Sequence, residues 1–214
     1  MIENSKNYRN LRNYENVTRR IFDGVGQYNI PQLEPTQYEE CSFIGFNRHK
    51  GCKDKDKKGI HFFLDDYQFI RIWNKVDQYV PLLQNYACVL TPDFSLYDEF
   101  PEALQIYNHF RKHWVGAYFQ EHGIKVIPTI SWCSHYSFGW CFDGEPVGGV
   151  VAVSSVGTQG SEITKDIFLM GYEEMINRLN PSTILFYGKV PKECKGNIIR
   201  IPAYQERFNS VEFI

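Results

Sequence analysis

The sequence predicts an α/β domain: a mostly parallel sheet with βαβ crossover helices, an open sheet or partial β/α barrel, plus an irregular N-terminal arm. Three observations carry this. From residue 59 onward, apolar runs of strand length alternate with longer segments of helical period. Those runs are near-continuous and β-branched, as in GVVAV at 149–153, which fits strands covered on both faces. The chain of 214 residues, 43% apolar and 16% aromatic, can bury a sizeable core without disulfide or metal staples.

Residues 1–58 carry short apolar patches broken by Gly, Pro and Asn, and read as a helical or loop-rich arm packed on the main domain. Residues 59–214 form the α/β domain. Strands are expected at 59–64, 86–90, 125–130, 149–153 and 183–187, with 198–201 as a sixth. Pro128 is unwelcome in a central strand, so a bulge or an amide without a partner is expected there. One helix is expected over 65–77, from Asp65, with Phe69, Ile72 and Trp73 inward. A second runs over 99–122, with Asp98 as cap and Pro101 in the first turn. Ala103, Ile106, Tyr107, Phe110, Trp114 and Ala117 form its sheet-facing stripe, and Gly123 follows as a left-handed cap. The third covers 161–179. Ser161 caps it, Ile163, Ile167, Met170 and Leu179 make most of the buried stripe, and Asn180-Pro181 stops it.

Charge excludes some functions. With 23 Lys and Arg against 25 Asp and Glu, the formal net charge is −2, unlike a polybasic nucleic-acid binder. The basic excess lies in NRHKGCKDKDKK, residues 47–58, read as a solvated loop in preference to a finger for phosphate or an acidic partner. No apolar run approaches the roughly 20 residues that span a bilayer, and the N-terminus lacks a signal-like stretch. A cytoplasmic protein with no membrane partner is expected. Six widely spaced cysteines without a C-x-x-C pair are expected to be reduced thiols, with no structural zinc.

Ligands of parallel α/β sheets bind at the carboxyl ends of the strands. There the sequence places Asp65-Asp66, then Thr91-Pro92-Asp93-Phe94-Ser95, then Ser131-Trp132-Cys133-Ser134-His135, then SSVGTQGS at 154–161. Asp93 is the candidate catalytic carboxylate, able to exchange a proton or hold a hydroxyl; the competing reading is a turn residue bonded to the Ser95 amide. Thr91, Ser95, Trp132, His135, Ser154, Ser155, Gly157, Thr158, Gly160 and Ser161 are the candidate ligand-binding residues. The turn at 157–161 aims amides and a helix N-terminus at an anion, without the P-loop pattern. Cys133 and His135 make a weak nucleophile pair, and His109 and His113 have metal spacing without the H-E-x-x-H motif, so no metal site is assigned.

The stretches HFFLDDYQFIRIW, TPDFSLYDEFPEALQIYNHFRKHWVGAYFQEHGIKVIPTISW, SFGWCFDGEPVGGVVAVSSVGTQG and NPSTILFYG cover most of residues 59–188. Together they resemble a family of bacteriophages and mobile elements of Gram-positive bacteria, domain of unknown function 4417. The resemblance implies a phage or plasmid setting, hence a bacterial host cytoplasm, and a compact α/β domain. It implies no activity, cofactor or catalytic residue. Three readings follow: a domain with a nucleotide or other phosphate-bearing ligand at the strand ends, enzyme or not; a non-catalytic factor binding a host or phage protein, of anti-defence type; and an accessory DNA replication factor touching nucleic acid.

Overall fold

The computed structural model describes residues 14–204 and 206. After a hairpin of β1 (Gly24–Val25) and β2 (Ile30–Pro31) come seven strands that run parallel: β3 (Ser42–Gly45), β4 (Lys58–His61), β5 (Cys88–Leu90), β6 (Val126–Ile127), β7 (Val150–Ser154), β8 (Thr183–Tyr187) and β9 (Ile198–Ile201). Their order across the sheet is their order in the chain. The two halves, β3–β6 and β7–β9, meet at Thr129 and Ala152 in a parallel bridge.

Pro128 explains how they meet. Strand β6 ends just before it. The Pro128 carbonyl then accepts from the Ala152 amide at 2.8 Å, while the Thr129 amide donates to Thr91 Oγ1 at 2.8 Å. A proline sits without penalty where the chain changes partners, because no ladder amide is required of it.

The sheet is curled. Phe43, Leu90, Ile127, Ala152, Leu185 and Ile201, from strands at both edges and between, belong to one buried cluster on its inner face. The ring of Tyr187 on β8 lies 4.9 Å from that of His61 on β4. Four strand spacings in a flat sheet would separate them by about 19 Å. The architecture is therefore a partial β/α barrel, and among the described residues β3 and β9 do not pair.

Helices cover the outer face. Helices α1 (Arg71–Asn74), α2 (Val76–Leu83) and α3 (Glu102–Glu121) bury Trp73, Val76, Leu83, Trp114 and Phe119 against Ile60, Val89 and Val126. Helix α4 (Glu162–Leu179) packs Phe168, Tyr172, Met175 and Leu179 on Val151, Val153, Ile184 and Phe186. With both faces covered, the strands read as apolar runs with no alternation.

Several element-level expectations change. The helix expected over 65–77 is a 3-10 turn at Asp66–Gln68 followed by α1 and α2, broken at Lys75, whose φ of −142° is not helical. Strand β4 stops at His61 because Leu64 N turns back to Phe62 O at 2.7 Å. In α4, Ile163 and Met170 are 73% and 51% exposed; the buried stripe is set by Phe168 and Tyr172, whose rings cover more apolar surface. Ser161 caps α4 as expected, its Oγ accepting from Thr164 N. In α3, Asp98 makes no cap bond and Ala103 is exposed. The unexpected feature of α3 is its buried polar face: Gln105, Asn108, His109, Lys112 and His113. Strand β3, inside the stretch read as an arm, was not anticipated.

Candidate functional site

A cavity of about 860 Å³ opens where the strands end. That volume lies within the usual range of small-molecule sites. Parallel strands in sequential order bring every strand end to one mouth: Arg48 after β3, His61 and Phe63 at the end of β4, Asp93 and Ser95 after β5, Ser131 and Trp132 after β6, Ser154 at β7 and Tyr187 at β8. The Arg48 guanidinium rests 4.6 Å from the centre of the Tyr204 ring.

Asp93 is the carboxylate of altered acidity at this mouth. Burial raises its carboxyl to about 6; the Asp66 carboxylate adds to the rise, while the Lys112 ammonium and a hydrogen bond from Ser131 oppose it. A carboxyl near neutrality can both take and return a proton. The Ser95 amide is bonded by Asp66, not by Asp93: Asp66 accepts from Ser95 N at 3.2 Å and from Ser95 Oγ at 2.8 Å. The loop bearing Asp93 and Ser95 is held from behind by α3. Asn108 donates to Ser95 O at 2.7 Å, and Gln105 donates to Tyr97 O and Phe100 O at 3.0 and 2.9 Å.

Behind the floor lies a buried ion network. Lys112 Nζ donates to Glu145 Oε1 at 2.7 Å and to Thr129 O at 2.9 Å. His113 lies between Glu145 Oε1 and Pro31 O, each at 3.0 Å, so it donates to both when both ring nitrogens carry protons. His109, His113 and Glu145 offer three ligand atoms within 4.8 Å of one another. The Lys112 ammonium already supplies the cation there. A divalent ion added beside it would face that charge in a buried site, so the cluster reads as structural.

Of the residues singled out by sequence, the cavity gathers Asp65, Asp93, Ser95, Trp132, Cys133, Ser154, Gly157 and Thr158. The others lie elsewhere. Thr91 is fully buried and bonds Thr129. Ser155 is buried and donates to Lys189 O at 2.6 Å. His135 is exposed and lies against Tyr136, the ring centroids 3.9 Å apart. Gly160 is exposed, and Ser161 is occupied with capping α4. Cys133 donates to Gln105 Oε1 at 3.1 Å and its thiol is raised by burial, the surroundings of a packed thiol more than of a nucleophile. The turn before α4 spends much of its own donor capacity: Val156 N goes to Ser154 Oγ, Thr158 N to Ser155 O, Ser161 N to Thr164 Oγ1 and Thr164 N to Ser161 Oγ. Sequence reasoning missed Lys112 and Glu145, and placed Ser131 at a strand end without assigning it a role. Arg48 sat in the basic run with no sign that it turns toward the mouth.

Trp132 owes its place to Gly171 of α4. A Cβ at residue 171 would lie 2.3 Å from the indole Cε2 and Nε1. Gly171→Ala is therefore expected to displace Trp132 and destabilise the protein by about 1–3 kcal/mol. Thermal melting and tryptophan emission check this; an unchanged spectrum and melting point would show that the ring is not held there.

A model of the family described as domain of unknown function DUF4417 matches residues 22–205. The chain belongs to this DUF4417 family. It is 38% identical over 195 residues to the Gene 1 protein of Mycobacterium phage L5, covering 88% of this chain and 85% of that protein. To the Gene 1 protein of Mycobacterium phage D29 it is 38% identical over 174 residues, covering 80% of this chain and 64% of that protein. No solved structure matches this DUF4417 chain. These relatives place it among phage-associated proteins, and no helix among its described residues is long and apolar enough to cross a membrane.

Proposed function

We propose that this phage-type protein binds a polar, ring-bearing small molecule of the nucleoside class at the strand-end mouth, with Asp93 exchanging a proton or hydrogen bond with it. The observation that carries the reading is a carboxyl raised to about 6 at the head of a ligand-sized cavity. Trp132 and Phe63 supply aromatic surface for a ring, and Ser95, Ser131 and Ser154 supply hydroxyls. Among the described residues, four carboxylates, Asp65, Asp93, Asp98 and Glu99, line the cavity against the single guanidinium of Arg48. That excess and the spent amides of the turn favour the nucleoside part of a nucleotide over its phosphate.

The test is a titration of the purified protein with nucleosides and, separately, with inorganic phosphate, read by tryptophan fluorescence and calorimetry. Nucleoside binding that strengthens as pH rises through about 6, where Asp93 becomes an acceptor, supports the reading. Binding of phosphate alone would move the site to Arg48, and binding of neither would retire it.

One observation favours a second reading, a protein-binding factor in the host cytoplasm. Ile163, Ile167 and Met170 fall on one face of α4, and Ile163 and Met170 are largely exposed.

A further inference from the structure

At the end of the sheet opposite the cavity, two thiols meet across an intervening strand. Cys41 immediately precedes β3, Cys88 opens β5, and β4 runs between them. Gly59 of β4 pairs with Phe43 on one side and Cys88 on the other. A Cβ at Gly59 would stand 2.4 Å from the Phe43 ring and 3.0 Å from Cys88 Sγ. The missing side chain leaves a notch, and through it Cys41 Sγ and Cys88 Sγ approach to 3.7 Å.

The two sulfurs differ in surroundings. Cys41 is half-buried and Cys88 is buried. The Cys88 thiol, a backbone hydrogen bond from Gly59 and the Lys125 charge lower the Cys41 thiol, although burial opposes them. Cys88 is pushed far up, first by sharing its hydrogen bond with Cys41 and then by burial. One member is thus disposed to be a reachable thiolate and the other to stay protonated, the division of labour between an attacking and a resolving cysteine. The remaining thiols are engaged elsewhere or enclosed: Cys52 donates to Lys53 O, Cys133 donates to Gln105, and Cys141 and Cys194 are buried.

We propose that Cys41 is a peroxide-reactive modification site and that Cys88 resolves it to a disulfide joining the entry of β3 to β5. In the first step the Cys41 thiolate attacks a peroxide oxygen. The S–O bond forms, the O–O bond breaks, and the departing hydroxide takes a proton to become water. In the second, Cys88 sulfur attacks the sulfenic sulfur and loses its proton; the S–S bond forms, the S–O bond breaks and a second water leaves. Two thiols are oxidised and one hydrogen peroxide is reduced to two waters. The sulfurs must close from 3.7 Å to about 2.05 Å; with β4 between them the two backbones stand about two strand spacings apart, more than the roughly 7 Å a disulfide spans, so the chain at Cys41, which lies just outside β3, must move inward for the bond to close.

The experiment treats the full chain with limiting hydrogen peroxide, followed by peptide mass mapping without reductant. The expected product is a single peptide pair linking Cys41 to Cys88, lighter by two hydrogens and reopened by dithiothreitol. Cys88→Ser should halt at a Cys41 sulfenic acid that dimedone traps, and Cys41→Ser should leave Cys88 a thiol. Should either variant fail to fold, alkylation rates in the native protein decide, with Cys41 expected to react about tenfold faster than Cys52. Equal rates, first oxidation at Cys52 or Cys133, or a Cys41 sulfenic acid that persists beside an intact Cys88 would overturn the assignment.

Discussion

Glu145→Ala is expected to cost about 3–5 kcal/mol, a large share of the roughly 5–15 kcal/mol that holds a domain folded. Glu145 has no exposed side-chain surface and is the counter-charge of Lys112 and His113, whose side chains are 2% and 0% exposed. Removing it leaves an ammonium and an imidazole donor without their acceptor in a site water does not reach. Glu145→Gln keeps the shape and loses the charge, so it should fall in the same direction. The pH dependence has a definite sign. Burial would raise the Glu145 carboxyl, but Lys112 and His113 outweigh it and hold it below the ordinary value. A carboxyl depressed in the folded state stabilises above its unfolded value, and that contribution disappears as pH falls through the folded value. Wild-type protein should therefore lose stability on acidification below about pH 4.3, while Glu145→Gln should lose less over the same range. Denaturant titrations at pH 7 and pH 3 measure both quantities. A loss below about 1 kcal/mol at pH 7 would mean that the cluster is not the ion network described.

Asp93→Asn is expected to do the opposite to stability while abolishing the site's chemistry. Burial raises the Asp93 carboxyl to about 6 against an unfolded value of about 3.9. A carboxyl raised in the folded state makes folding less favourable as pH climbs between those two values, and the cost is complete above the higher. The full difference corresponds to about 3 kcal/mol, reduced to about 1–2 because the mouth admits water. The asparagine variant should thus melt higher than wild type at pH 8, with the advantage gone by pH 4, and should bind nucleosides at least about tenfold more weakly. A variant that melts lower at pH 8 would show Asp93 serving the fold.

Strands buried on both faces announce themselves as apolar runs, which is why β8 and β9 coincide with the segments read from sequence and β7 is displaced by one residue. Cap and stop signals are local, so Ser161 and Asn180 bound α4 where expected. What a linear pattern does not carry is burial imposed by distant chain. Lys112 and His113 lie outside the apolar stripe read for α3, yet the loop carrying Glu145 covers them. Ile163, Ile167 and Met170 do repeat at helical spacing, but Leu179 lies on the opposite face of α4 with Phe168, Tyr172 and Met175, and that is the face that packs on the sheet. In the site, strand polarity alone brought Asp93, Ser95, Trp132 and Ser154 to one mouth. Thr91 and Ser155 point into the structure because each finds an internal partner there.

The two outer cores divide the chain cleanly. Buried members of the first run from Phe46 to Val126, and those of the second from Ile130 to Cys194. Pro128 lies between them. During synthesis at about 5–20 residues per second, the first core is complete in sequence before the second has left the ribosome. Each strand also finds its neighbour already made, since no strand waits for a partner encoded beyond the next. Order of translation and order of packing coincide, and only the inner face, which draws on both halves, must await the last strand.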